Sequence, residues 1–337
     1  MPFRDISGHR HLLELLAGAA RRGTLPPSLI FAGPYGVGKR MAAVALAQAL
    51  NCARTVSFGD LGGADACGVC ASCIRIARGT HADVLLIEPG ETGSIKVDQV
   101  RDAIERSAYR PFEGRRRIVV IEEADAMQAE AQNALLKTLE EPPAASMFVL
   151  VTSRPDMLLP TVRSRCQRLR FGRLAPSDVA ALLVRSYDFG SDAAHAAASA
   201  SDGSIGAALE GASDDYSDAR DAAVQVLESA AQSRDPRRRL EGARALAGGN
   251  RAAADREDLG RRLRALASML RDLSALRSGA DDRALANADK KPLLSGLLGA
   301  FDGDRTLRAF DAVERAIAAL DRNASPKIVA DWIAIQL

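Results

Sequence analysis

Ser28-Leu29-Ile30-Phe31-Ala32-Gly33-Pro34-Tyr35-Gly36-Val37-Gly38-Lys39-Arg40 is the stretch that decides the fold. Five residues suited to a buried strand run into a glycine-rich turn, and a strongly helical segment, Met41 to Leu50, follows. Strand, glycine loop and helix in that order form a phosphate-binding loop. Gly33, Gly36 and Gly38 let backbone N–H groups turn inward, the helix N-terminus adds its positive end, and Lys39 reaches outward. The competing reading is an ordinary glycine turn before a helix. The loop fits G-x-x-x-x-G-K-[ST] at every fixed position except the last, where Arg40 stands.

Working outward, Asp83–Glu88, Arg117–Ile121 and Met147–Val151 read as three further strands, with helices at Val97–Tyr109 and from Met127 to Leu139. Glu140-Glu141-Pro142-Pro143 stops the last of these, because proline cannot continue a helix. Strands alternating with helices predict an α/β domain with a parallel sheet. Upstream, the apolar spacing predicts a helix from Ile6 to Arg22. After Phe171 strand signals vanish. A small helical unit is expected to about Gly211 and helices thereafter, broken at Asp235-Pro236, Gly248-Gly249, Ser278-Gly279 and Asp302-Gly303.

Composition supports a soluble, multidomain protein. The chain has 337 residues, too many for one core. Aromatics are only 4%, which suits a helix-rich chain better than a β-sandwich. The net charge of +2 excludes a strong global field for nucleic acid, though not a local basic face. No apolar run reaches the ~18 residues of a membrane span, and no signal-peptide core is seen, so a cytoplasmic location is expected.

Two features qualify the loop. Arg40 replaces the hydroxyl that ordinarily ligates Mg²⁺ and has no lone pair to offer. After the third strand stand Glu122 and Glu123, where an Asp-Glu pair would hold metal through water and activate a nucleophile. Thr152, after the fourth strand, completes the candidate nucleotide-binding set. Nucleotide binding stays open on these residues, and Mg²⁺-assisted hydrolysis is not expected. Cys52, Cys67, Cys70 and Cys73 supply four thiols with two Cys-x-x-Cys steps, matching a closed tetrahedral structural Zn²⁺ site. Free buried cysteines or a redox pair are the alternatives. Thr161-Val162-Arg163-Ser164-Arg165-Cys166-Gln167-Arg168-Leu169-Arg170 is a basic stretch which, on spacing alone, reads as a solvated turn, as does Arg115-Arg116-Arg117. The four histidines suggest no role.

Taken together, Ile6-Ser7-Gly8-His9, Leu25–Pro34, the four-cysteine insert, Gln132–Pro143 and Ser164-Arg165-Cys166 resemble bacterial DNA polymerase III clamp-loader subunits of the AAA+ P-loop class. The resemblance is dense to about residue 211 and only general beyond. It implies a nucleotide-binding-like domain at 1–171 with a zinc module at 52–73, a helical lid at 172–212 and a helical collar for oligomerisation at 213–337. It implies a pentameric ring with ATPase and delta subunits, loading a sliding clamp onto primer-template DNA, with no membrane. Arg165 would be a finger acting in trans on a neighbour's ATP. Arg40, the Glu122-Glu123 pair, and Gly206 where ATPase subunits carry a lid arginine all depart from the hydrolysing pattern. A non-hydrolysing subunit is therefore expected, without activity alone but part of the polymerase assembly. The alternatives are an active ATPase motor subunit of the same ring and a standalone P-loop phosphotransferase.

Overall fold

The computed structural model describes residues 1–337 except 61, 91–92, 202, 211–213, 233–234, 236, 238, 241–245, 247–251, 281–284 and 322–323. The chain divides into two compact units, Met1–Asp178 with Gly203–Ile205, and Val179–Asp202 with Gly206–Leu337.

The first unit is built on a parallel sheet. Its elements are α1 (Arg10–Arg22), β1 (Ser28–Ala32), α2 (Lys39–Asn51), β2 (Val56–Phe58), β3 (Gly63–Asp65), α3 (Ala71–Ala77), β4 (Val84–Ile87), α4 (Val97–Ala108), β5 (Arg117–Ile121), α5 (Ala129–Glu140), β6 (Ser146–Thr152), α6 (Pro160–Arg163) and β7 (Gln167–Arg170). Five strands pair in the order β4-β5-β6-β1-β7, and β2 with β3 forms a separate antiparallel pair. β1, β5 and β6 are buried along their whole length, as parallel strands covered on both faces must be. Alternate residues feed two cores. Leu29, Phe31, Ile118, Val120, Met147 and Val149 face α1 and α2. Ile30, Val119, Ile121, Phe148 and Leu150 face α4 and α5.

Two expectations need correction. The first helix starts at Arg10, not Ile6, because Gly8 (φ 75°) and His9 (φ 52°) adopt successive left-handed conformations that no α-helix can contain. The basic stretch after Cys166 is the edge strand β7, paired in parallel with β1 from Leu29↔Gln167 to Ala32↔Arg170.

The described secondary structure of the second unit is helical, with α7 (Pro176–Tyr187), most of which lies in this unit, α8 (Ser191–Ala200), α9 (Ile205–Glu210) and further helices at Asp214–Gln232, Ala252–Arg277, Gly303–Asp321 and Pro326–Gln336. Leu227, Leu263, Leu266, Met269, Phe301, Val313 and Ile333 form its core. Buried Asp272 accepts bonds from Ala286 N, Asn287 N and Asn287 Nδ2, which pins the connection that follows the 252–277 helix. The breaks at Ser278-Gly279 and Asp302-Gly303 appear where the sequence placed them. Pro236, Gly248-Gly249 and the 212/213 boundary lie outside the described residues.

One buried ion pair fixes the approach to β5. Asp83 accepts from Phe112 N (2.7 Å), Glu113 N (2.8 Å), Gly114 N (2.7 Å) and Arg117 NH2 (2.7 Å). Burial alone would raise its pKa, but these donors outweigh burial and hold it at about 2. Removing the carboxylate strands three N–H groups and a buried guanidinium. Asp83→Ala is therefore expected to cost about 3–5 kcal/mol in denaturant unfolding. Because the folded pKa is depressed, the contribution is complete above the ordinary value of 3.8 and is lost as pH falls toward 2. An Asp83→Ala unfolding midpoint equal to wild type at neutral pH would contradict this account.

Candidate functional site

β1 delivers the chain to the glycine loop at the carboxyl end of the sheet. There Gly33 N donates to Thr152 O at 3.2 Å. A Cβ at residue 33 would lie 2.2 Å from Phe171 O, so only glycine fits. Gly36 and Gly38 take φ of 71° and 97°, conformations in which a side chain is strained. Lys39 opens α2 and is 7% exposed. Its Nζ donates back to Gly33 O (2.7 Å) and Pro34 O (2.5 Å). Burial pulls its pKa down to about 8 against the opposing pull of Asp125, Glu122 and Glu123, so it keeps its proton at neutral pH.

His9, to which the sequence suggested no role, ties the N-terminal segment to this loop. Its Nε2 lies 3.0 Å from Val37 O and its ring meets Phe171 edge-on at 5.0 Å. Burial lowers its pKa, with the Val37 bond opposing, so the neutral ring donates through Nε2. The signal was the Gly8-His9 pair, which breaks the helical register.

The acidic side of the site comes from the ends of β4, β5 and β6. Arg40 NH1 lies 2.6 Å from Glu88 Oε1 and 2.6 Å from Glu122 Oε2. The Glu122 oxygen is charge-paired without a well-aimed hydrogen bond. Burial pushes the Glu122 carboxyl up, with Arg40 opposing and Glu88 and Glu123 adding to the rise. Glu123 is exposed with φ 45°, and burial of its carboxyl followed by Asp125 raises its pKa. Thr152 does not present a free hydroxyl: it donates to Asp125 Oδ1 at 2.5 Å, and Arg154 Nε holds Asp125 Oδ2 at 2.8 Å. Glu88 was missed. It follows the apolar run of β4 as Glu122 follows β5, and the register Ile87↔Ile121 sets the two side by side. Gly33, Gly36, Gly38, Lys39, Arg40, Glu122, Glu123 and Thr152 thus meet at one end of the sheet. The set does not fit the Mg²⁺ of a phosphate-binding loop: Arg40 offers no oxygen and already engages the carboxylates that would hold the ion.

Arg165 lies elsewhere in the unit, between α6 and β7. Its NH1 donates to Thr161 O (2.9 Å) and Ser164 Oγ (3.3 Å), and its NH2 pairs with Glu140 at the C-terminal end of α5. The side chain remains 32% exposed. Cys166 beside it is buried, which pushes its thiol up to about 12, so it is an inert part of the core.

The other four cysteines come together. Cys52 caps the end of α2, Cys67 follows β3, Cys70 caps α3 and Cys73 lies in its first turn. All four sulfurs lie within 4.8 Å of one another, and Cys52 Sγ is 4.0 Å from Cys70 Sγ. A tetrahedral ion with bonds of ~2.3 Å sets thiolates about 3.8 Å apart, so the group fits a metal ion. Cys67 N donates to Cys52 Sγ (3.2 Å) and Cys70 N to Cys67 Sγ (3.3 Å), as suits thiolate acceptors. Burial raises Cys52 and Cys73. Burial also acts on Cys70, but N–H donors from Cys73 and Ala53 outweigh it and bring that thiol to about 6. Among the described residues, no helix is long and apolar enough to cross a membrane.

Residues 8–175 match the family described as "DNA polymerase III, delta subunit". The chain is 43% identical over 135 residues to DNA polymerase III subunit delta' of Pseudomonas aeruginosa, which covers 40% of this chain and 39% of that protein. It is 34% identical over 183 residues to DNA polymerase III subunit gamma/tau of Mycobacterium tuberculosis, covering 54% of this chain and 31% of that protein. With subunit tau of Escherichia coli it shares 38% identity over 164 residues, 49% of this chain and 24% of that protein. The chain thus spans about a quarter to two-fifths of the length of these relatives. Through residues 8–175, with the glycine loop, the cysteine cluster and the Ser-Arg-Cys turn all inside the matched region, this chain belongs to the DNA polymerase III clamp-loader family.

Proposed function

We propose that this chain is a delta-prime-like subunit of a clamp loader that does not hydrolyse ATP itself and lends Arg165 to a neighbour's ATP site. The observation that carries the reading is the self-satisfied glycine loop. Lys39 is bonded to the loop's own carbonyls and Arg40 to the carboxylates of Glu88 and Glu122. No side chain in that group is left to bind Mg²⁺. Arg165, in contrast, keeps a partly exposed guanidinium on a turn fixed by β7. A guanidinium there can stabilise charge building on a transferring phosphoryl group. In this reading the chain takes its place in a cytoplasmic pentameric ring with ATPase and delta subunits that sets a sliding clamp on primer-template DNA. Residues 1–171 are the nucleotide-binding-like domain, 172–212 the lid and 213–337 the collar. Gly206 in α9, where an ATPase subunit would carry an arginine, agrees with the loss of hydrolysis. The similarity to gamma/tau relatives favours one second reading, an active motor subunit of the same ring.

The two readings separate in a ring reconstituted with cognate partners, followed by DNA- and clamp-stimulated ATP turnover. Arg165→Ala is expected to lower turnover at the site it completes by about 10³-fold, the lower end of arginine-finger effects. Lys39→Ala should leave turnover within about twofold. Loss of turnover on Lys39→Ala, together with ATP hydrolysis by the chain alone, would install the motor reading instead.

We further propose that the metal of the cysteine cluster is a structural Zn²⁺, held by Cys52, Cys67, Cys70 and Cys73 with no open position for chemistry. The ion would supply folding free energy by joining the end of α2 to the start of α3. Elemental analysis should find one zinc per chain, and Cys70→Ser should lose it and lower the thermal midpoint while the far-ultraviolet spectrum stays largely helical. Zinc-free wild-type protein of unchanged midpoint would refute the assignment.

A further inference from the structure

We propose that Arg40 is an internal replacement for the divalent cation of a phosphate-binding loop, so that the wild-type site admits no metal–nucleotide complex and a hydroxyl residue at position 40 restores entry. This deepens the non-hydrolysing reading of the loop and is independent of the role of Arg165.

The argument is one of volume and charge. Arg40 NH1 is 2.6 Å from an oxygen of each of two carboxylates, Glu88 just after β4 and Glu122 just after β5. A Mg²⁺ ion in this place would need six oxygens at ~2.0–2.1 Å in near-octahedral array. It would need the loop hydroxyl that Arg40 replaces, and carboxylates already engaged by the guanidinium. The guanidinium stays charged at every accessible pH, so an arriving cation would meet a fixed like charge as well as an occupied volume. A metal-free polyphosphate is opposed from the other side. Glu88, Glu122, Glu123 and Asp125 lie around the loop, against the cations Lys39, Arg40 and Arg154. Lys39 and Arg154 are themselves engaged, by the loop carbonyls and by Asp125. Closure therefore works against both components of a metal–nucleotide complex, the metal through Arg40 and the two carboxylates it joins, the polyphosphate through all four carboxylates around the loop. Threonine at this position would free Glu88 and Glu122 and supply an oxygen at the helix start.

The test is a titration of the full-length chain with a fluorescent ATP analogue, in Mg²⁺ and in EDTA, with no partner subunit present. For wild type, the two conditions should agree within about twofold, whether binding is weak or absent. Arg40→Thr should bind at least tenfold more tightly in Mg²⁺ than in EDTA, and Arg40→Thr/Glu122→Gln should lose that difference. Tenfold tightening of wild type by Mg²⁺ overturns the proposal. So does its absence in both Arg40→Thr and Arg40→Ser when either retains the wild-type circular dichroism spectrum, or its survival in the double variant. Because the ring is not used, failure here leaves the Arg165 result standing on its own, and the reverse holds.

Discussion

The carbonyl of Phe171 lies where a side chain on residue 33 would begin, 2.2 Å from the place of its Cβ. That one close approach organises the glycine-loop end of the first unit. β1 is hydrogen-bonded on both edges, to β6 and to β7, and β7 leads directly into Phe171. The loop after β1 can leave the sheet only through a residue without a side chain. Phe171 in turn packs on Phe31 and against the edge of His9, and His9 reaches back to Val37 in the loop itself. Strand end, glycine loop and N-terminal segment are therefore one packed object. The loop's shape is kept by these contacts.

A loop preserved in shape can then lose its chemistry without losing its fold. In this chain the charges that would face a metal and a triphosphate have been turned on one another. Arg40 joins Glu88 to Glu122, Arg154 holds Asp125, Asp125 takes the Thr152 hydroxyl, and Lys39 folds onto its own loop. The Arg40 pairs, between partly exposed groups, add little to stability individually. Their consequence is occupancy: Lys39, Arg40, Glu122 and Thr152 already have partners in the same chain.

What could be read from sequence followed the range of the interactions involved. The strand–loop–helix order, β5, the stop at Pro142-Pro143 and the gathering of four cysteines are local patterns, and all are present in the structure. The residues that escaped are those whose meaning comes from pairing across the sheet. Glu88 is silent until β4 is known to lie beside β5 in register. β7 has the sequence Gln-Arg-Leu-Arg, three polar residues in four, which reads as a basic turn because an edge strand covered on one side needs no apolar run. His9 was hidden by the apolar spacing on either side of it, which suggested one helix where two left-handed residues divide the chain. The pairing of Arg165 with Glu140 joins positions 25 residues apart and no periodicity announces it.

The cysteine cluster obeys a different logic from the sheet that carries it. Cys52 and Cys73 are fully buried, and in their cluster Ala66 is the one other buried apolar residue among the described residues, with Cys67 and Cys70 packed at the side. So small a cluster contributes little apolar burial of its own, at about 25 cal/mol per Å², and Ile76 and Phe58 join the insert to the larger core beside α1 and α2. The polar ties around it are correspondingly dense. Asp65 takes Phe3 N, Ala66 N and Arg4 NH1, and Gln48 Nε2 reaches Cys73 O. Four thiols at tetrahedral spacing complete what these bonds begin. The insert is thus anchored to the N-terminus and to α2 by hydrogen bonds, and its four thiols gather at its centre. This division of labour lets a segment with so small a core of its own be carried beside the parallel sheet.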